Sequence, residues 1–151
     1  MQRKHPAHCP PIERFNSPII IFLTVCTRNR LPCLASEQAH QLLLSAWQLA
    51  DSWVVGRYVI MPDHIHLFCS PRNNLFALDR WIAYWKGLTS KAWPDRTSTP
   101  LWQKDFWDTQ LRHERHYDTQ WDYVVKNPVR AGLVARAEQW PFAGELNRLT
   151  L

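Results

Sequence analysis

Tyr58-Val59-Ile60-Met61-Pro62-Asp63-His64-Ile65-His66-Leu67-Phe68 is the stretch on which the fold turns. Apolar and β-branched residues fill both flanks, and Pro62-Asp63 between them has the makeup of a tight turn with proline at its corner. The stretch predicts two consecutive strands, over residues 53–61 and 64–69, paired as a hairpin. Side chains alternate across a strand with a period of two. His64 and His66 therefore project from one face and Ile65 from the other.

Working outward, residues 18–27 form an apolar, β-branched run that predicts a buried strand. Residues 28–32 read as a loop, and Ser36 as the cap of a helix over 37–51. Leu42, Leu43, Ala46, Trp47, Leu49 and Ala50 give that helix an apolar face. Downstream, a second helix is expected over 75–93, with Leu78, Ile82, Trp85 and Leu88 on one side. Residues 94–100 are turn-rich. Residues 101–111, with Trp102, Phe106 and Trp107, predict a fourth strand with a bulge or bend. A third helix follows over 114–126, then a break at Asn127-Pro128 and a short helical turn to Gly132. Strand, helix, strand, strand, helix, strand is the order of a ferredoxin-like β-α-β-β-α-β antiparallel sheet of the α+β class, here with a helix added after it. Residues 1–16 read as an irregular amino-terminal arm, 17–134 as one domain, and 135–151 as a tail packed on or near it.

A length of 151 residues suits a single domain, and an apolar fraction of 46% can build a core, which excludes a wholly disordered chain. No apolar run approaches the roughly 18 residues of a membrane span, and no apolar signal core follows the basic amino terminus. A cytoplasmic protein without a membrane partner is expected. The formal net charge of +5 suggests a polyanionic partner, with nucleic acid the natural candidate. Cys9, Cys26, Cys33 and Cys69 form no Cys-x-x-Cys pair, so neither a zinc knuckle nor a thioredoxin-type motif is present, and four reduced thiols are expected.

Two imidazoles on one strand face can hold a divalent cation if a third ligand arrives from another element. The plainer reading is a pair of half-exposed strand histidines. Tyr123 and Asn127 lie four apart on the predicted third helix, on one face, with Lys126 alongside. A tyrosine hydroxyl, with an ordinary pKa of about 10, becomes a nucleophile only when its target is held in line; otherwise Tyr123 is an aromatic at the edge of the core. Asn127 can ligate a metal, or it can cap the turn that follows. Pro128 suits the first helical position there and Gly132 the position just past the end. Local rules leave both readings open.

The segments Met61-Pro62-Asp63-His64-Ile65-His66, Trp102-Gln103-Lys104-Asp105-Phe106-Trp107-Asp108 and Tyr123-Val124-Val125-Lys126-Asn127-Pro128-Val129-Arg130-Ala131-Gly132-Leu133-Val134 resemble, in order and spacing, the REP-associated tyrosine transposases. That family lies within the HUH single-strand transposase superfamily. The resemblance spans residues 18–142, and Trp140-Pro141-Phe142 extends it. It implies that 17–134 is a ferredoxin-like catalytic domain whose added helix bears the catalytic tyrosine. Residue by residue, His64 and His66 match the metal-ligand pair and Tyr123 the nucleophile. Asn127 matches the position of a third polar ligand, where superfamily relatives often carry Gln. Tyr58, Tyr84 and Tyr117 lack the Asn-Pro context.

The implied activity is a single-strand DNA endonuclease and strand transferase, dependent on Mg²⁺ or Mn²⁺ and passing through a 5′-phosphotyrosine link. The implied substrate is a palindromic repeat folded as a DNA hairpin, which would associate the protein with the nucleoid when bound. Arg28, Arg30, Arg72, Lys104, Arg112, Lys126 and Arg130 are candidates for contacting DNA phosphates, with Lys86, Lys91 and Arg115 as further cations. Oligomeric state stays open, because some superfamily members exchange the tyrosine helix between the subunits of a homodimer. Three other readings compete: a non-cleaving hairpin-binding protein on the same fold, a rolling-circle-type replication initiator nuclease, and a ferredoxin-like RNA-binding domain with an aromatic sheet.

Overall fold

In the computed structural model, which describes residues 19–72 and 76–151, the central hairpin forms as its residues predict. β2 (Trp53–Ile60) and β3 (His64–Pro71) pair antiparallel, and the Met61 N–H donates to the His64 carbonyl oxygen at 2.8 Å to close the turn. β1 (Ile20–Cys26) pairs with the other side of β3, and β4 (Trp107–Leu111) with the outer side of β1, both antiparallel. The sheet order is β4-β1-β3-β2, extended by β5 (Ala143–Glu145) on the free side of β2. This is the ferredoxin-like arrangement expected, with one short strand that the sequence did not announce. The expected amino-terminal arm, Cys9 and the expected first residue of the second helix lie outside the described residues.

One face of the sheet is covered by α1 (Glu37–Leu49) and α2 (Leu78–Ala92). Ser36 caps α1 as expected, its hydroxyl accepting from the Ala39 N–H at 3.1 Å. Ala39, Leu43, Ala46 and Trp47 recur at helical spacing and are buried. Trp81, Ile82 and Trp85 of α2 meet them, joined by the alternate residues Ile21, Leu23 and Val25 of β1 and Ile65, Leu67 and Cys69 of β3. Trp81 and Trp85, spaced four apart, are fully buried, so they belong to the core.

The opposite face carries Ile20, Phe22, Thr24, His64, His66 and Phe68, and across it lies α3 (Glu114–Val124). Its first turns seat Tyr117 against Phe68, with ring centroids 4.9 Å apart and Ile20 and Leu111 close by. Its last residue, Val124, packs on Val59 and Met61. The helix thus crosses the face diagonally, from the far end of β4 to the hairpin end of β2.

Two residues of β2, Gly56 and Arg57, face Phe68 alone on β3, a bulge between the Val55–Cys69 and Tyr58–Leu67 pairs. Val55 and Tyr58 consequently point to the same side, under α1 and α2. Gly56 also has to be glycine, because a Cβ there would lie 2.6 Å from the Leu149 side chain. The carboxy-terminal segment closes over the sheet at that point.

The fourth strand is shorter than expected. Of residues 101–111 only Trp107–Leu111 pair with β1; Trp102 makes an isolated bridge to Thr27. The apolar side chains before it are buried through irregular backbone instead. The Leu101 N–H donates to Ser90 Oγ at 3.1 Å and Trp102 Nε1 to Thr89 Oγ1 at 2.8 Å, which ties this segment to α2. The third helix also stops earlier, at Val124, and Asn127 opens a separate short helix, α4 (Asn127–Arg130). Gly132 ends it at φ +74°, with Gly132 N–H on the Val129 carbonyl and Leu133 N–H on the Pro128 carbonyl, so the expected glycine stop is present. Cys26, Cys33 and Cys69 are free thiols.

Candidate active site

The sheet register forms a row across the open end of the α3 face. Val59 pairs with His66, His66 with Thr24, and Thr24 with Trp107, so all four side chains stand on the same side. His64 pairs with Cys26 in the next row. The His64 and His66 rings lie edge to face with centroids 4.8 Å apart, as neighbours two apart on one strand must.

Each imidazole is held from behind. His64 Nδ1 donates to Asp63 Oδ1 at 2.7 Å, and His66 Nδ1 is 2.8 Å from Thr24 Oγ1. Phe22 stacks on the His66 ring at 5.4 Å between centroids. With both Nδ1 atoms engaged, both Nε2 atoms are left for another partner, the orientation that metal-binding histidines adopt. Burial, with the charges of His64, Arg130 and Arg30 adding to it, pushes His66 down to about 3, so this ring is neutral and able to act as a ligand at ordinary pH.

Asp63 is fixed in turn by Arg30, whose Nε donates to Asp63 Oδ2 at 2.9 Å. Burial pushes the Asp63 carboxyl up, but hydrogen bonds from Arg30 and His64, together with their charges, outweigh it and hold the group below its usual range. Arg30 reaches this place from a strained turn in which Asn29 and Arg30 both adopt left-handed backbone, at φ 56° and 54°. Its Nη1 also points to the Cys26 thiol at 3.4 Å. Asp63→Asn keeps the shape but cannot hold the His64 tautomer as firmly. Should the histidine pair hold Mn²⁺, its affinity, measured by titration calorimetry, is expected to fall by about 10- to 100-fold, the usual cost of losing such a supporting partner. Unchanged affinity would remove Asp63 from the site.

Tyr123, one residue from the end of α3, has its ring exposed. Arg130 organises its surroundings. The guanidinium lies 3.9 Å from the centre of the Tyr123 ring, donates to the Tyr123 carbonyl oxygen at 2.6 Å, and makes a short hydrogen bond to Asn127 Oδ1. Val124 beneath it packs on Val59, the cross-strand neighbour of His66, and the Arg130 charge is felt at His66. The carboxy-terminal end of α3 and the start of α4 therefore sit beside the histidine row. The side chain of Asn127 caps no backbone group; its oxygen is taken by Arg130. Among the described residues, no group of three His, Cys, Asp or Glu side chains could hold a metal ion.

The strands run about 20 Å from His64 to Pro71 at the usual rise per residue, and this separates the candidate cations into two groups. Arg28, Arg30, Lys104, Lys126 and Arg130 lie on loops and helix ends at the histidine end. Arg72 and Arg112 follow β3 and β4 at the opposite end. Arg72 there donates to the Asp51 carbonyl oxygen at 2.8 Å. Lys86 is engaged inside the fold, its Nζ donating to the Gln103 carbonyl oxygen at 2.8 Å, and burial lowers it to about 8. What sequence reasoning missed here is the support behind the histidines. Thr24 lies 42 residues from His66, and only the strand register pairs them.

No family model matches the chain. A REP-associated tyrosine transposase of Escherichia coli (strain K12) is 27% identical over 125 residues, covering 81% of this chain and 73% of that protein. A Haemophilus influenzae protein that carries the same name provisionally is 28% identical over 137 residues, covering 82% of this chain and 78% of its own. A solved structure of a REP-associated tyrosine transposase bound to a REP hairpin superposes with a TM-score of 0.74, at 23% identity, over 95% of this chain and 82% of that one. A Deinococcus radiodurans structure, provisionally described as a transposase, superposes with a TM-score of 0.53 at 19% identity over 76% of this chain and 94% of that one. The resemblance carried by the three motifs thus extends over most of the chain, and the fold is that of the REP-associated tyrosine transposase structure.

Proposed function

We propose that this chain is a metal-dependent single-strand DNA endonuclease and strand transferase that acts at repetitive palindromes folded as hairpins. Similarity to REP-associated tyrosine transposases supports the class, and one of the superposed structures holds a REP hairpin. The observation that carries the reading is the placement of Tyr123 and Asn127, through Arg130 and Val124, beside a pair of histidines whose Nε2 atoms are free.

The donor set fits a small divalent cation such as Mg²⁺ or Mn²⁺. His64 and His66 would hold it, and Asn127 would do so once its oxygen is released by Arg130. Bound there, the cation supplies charge that polarises the scissile phosphate. The rest falls to side chains. Thr24 and Asp63 keep the imidazoles in one tautomer. Arg130 holds the Tyr123 ring in place and puts a permanent positive charge next to the phosphate that the ring approaches. The Tyr123 oxygen then bonds to phosphorus as the bond to the 3′-oxygen breaks. The hydroxyl proton leaves Tyr123, the 3′-oxygen gains one, and the products are a 5′-phosphotyrosine and a free 3′-hydroxyl. Attack by another 3′-hydroxyl reverses the step, so strands rejoin without ATP.

A denaturing gel of the protein with a labelled hairpin bearing single-stranded flanks should show a covalent adduct with Mn²⁺ and none with a chelator. An adduct that survives the chelator overturns the metal requirement. Tight hairpin binding with no adduct under any condition would make this a non-cleaving hairpin-binding protein.

A further inference from the structure

All nine tryptophans lie among the described residues, and eight have an obvious place. Trp47, Trp53, Trp81, Trp85, Trp93 and Trp102 are buried in the main core, while Trp121 and Trp140 are half-buried against the α3 face. Trp107 alone is exposed, at 37%. Trp107 keeps over a third of its surface in solvent on an edge strand, apolar area that a ligand could cover.

Its position is specific. Trp107 is the first residue of β4 and ends the row Val59–His66–Thr24–Trp107, on the histidine side of the sheet. Two antiparallel pairings separate it from His66, about 10 Å of backbone. α3 runs diagonally away from this corner, from Leu111 and Tyr117 towards Val59 and Met61, and leaves it uncovered. The exposed cations Arg28 and Lys104 lie on the loops that flank the corner, beyond the ends of β1 and before β4. A flat aromatic ring, an open strip of sheet and flanking cations make the arrangement by which proteins hold single-stranded nucleic acid: bases stack on the aromatic face while basic groups follow the phosphates.

We propose that Trp107 is a base-stacking residue that holds a nucleotide of single-stranded DNA next to the phosphate at the histidine pair. This rests on the function proposed above and adds to it the element that fixes where the strand lies. Strand position decides which phosphate meets Tyr123, so the residue sets the cleavage position without taking part in the chemistry.

Dissociation constants are measured by fluorescence anisotropy at one fixed salt concentration. The probes are a dT oligonucleotide of about 20 nucleotides, longer than the usual site size, and an oligomer of equal length built wholly of abasic units. Trp107→Ala should weaken dT binding about tenfold and leave the abasic probe unchanged, because stacking needs a base. Trp107→Phe should retain most of the dT affinity. Equal binding of dT by the wild type and Trp107→Ala overturns the proposal. So does an equal loss on both probes, which marks a backbone or folding effect. Neither probe depends on cleavage, so a missing covalent adduct would count against the transferase reading and leave this result standing.

Discussion

Tyr123→Phe is expected to leave no covalent protein–DNA adduct on a denaturing gel and to lower the cleavage rate by at least about 10⁴-fold, the scale on which removing a catalytic nucleophile acts. Hairpin affinity should stay within about threefold of the wild type, since the exposed phenol hydroxyl is the only group removed. Stability should not change either. The Tyr123 side chain is 61% exposed, and the ring that Arg130 stacks on is kept in phenylalanine. An undiminished adduct would move the nucleophile elsewhere. Loss of both adduct and binding would mean that the ring, rather than its oxygen, matters.

Trp85→Ala should cost about 4 kcal/mol of stability, a large share of what a domain of this size possesses. Trp85 is wholly buried, edge to face with Trp47, Trp81 and Trp102 at 6.0, 6.1 and 5.4 Å. The melting temperature should drop by roughly 10 °C or more. Trp85→Phe should be much milder for a second reason. The Trp85 Nε1 is buried without a hydrogen-bond partner, so phenylalanine removes an unsatisfied donor along with the volume. Two similar melting curves for Ala and Phe would contradict this account of the core. The cluster also explains most of the chain's tryptophan content, since six of the nine rings pack the space between two helices and a sheet.

What could be read from the sequence was what short-range chemistry determines. The Ser36 cap, the turn at Pro62-Asp63, the glycine stop at Gly132 and the shared face of His64 and His66 all follow from a few adjacent residues. The strand–helix order followed from periodicity and led to the right sheet. The errors came where apolar content was taken as a sign of pairing. Leu101, Trp102 and Phe106 are buried because α2 accepts them, not because they join a ladder. β5 is the converse: Ala143-Gly144-Glu145 has little strand character, and only the edge of β2 makes it a strand. At the site, Thr24 behind His66, Arg30 behind Asp63 and the Arg130 contact to Asn127 depend on tertiary register or on one rotamer. No spacing rule contains them. The same holds for the cations, which look alike in sequence and separate into two ends only once the strands have directions.

The bulge in β2 places one residue more between Val55 and Tyr58 than lies between their partners Cys69 and Leu67. Up to Val55 the strand keeps one alternation, and from Tyr58 onward it keeps the opposite one. Removing either Gly56 or Arg57 would leave Val55 and Tyr58 two apart, as their partners Cys69 and Leu67 are, so the bulge would vanish while Tyr58, Val59 and Ile60 kept their faces. The chain that delivers Asp63 and His64 begins one turn further on, so the phase of this one strand is passed directly to the histidine pair. A deletion at the bulge therefore spares that phase, whereas one in the regular stretch beyond Tyr58 would turn the side chains after it to the other face.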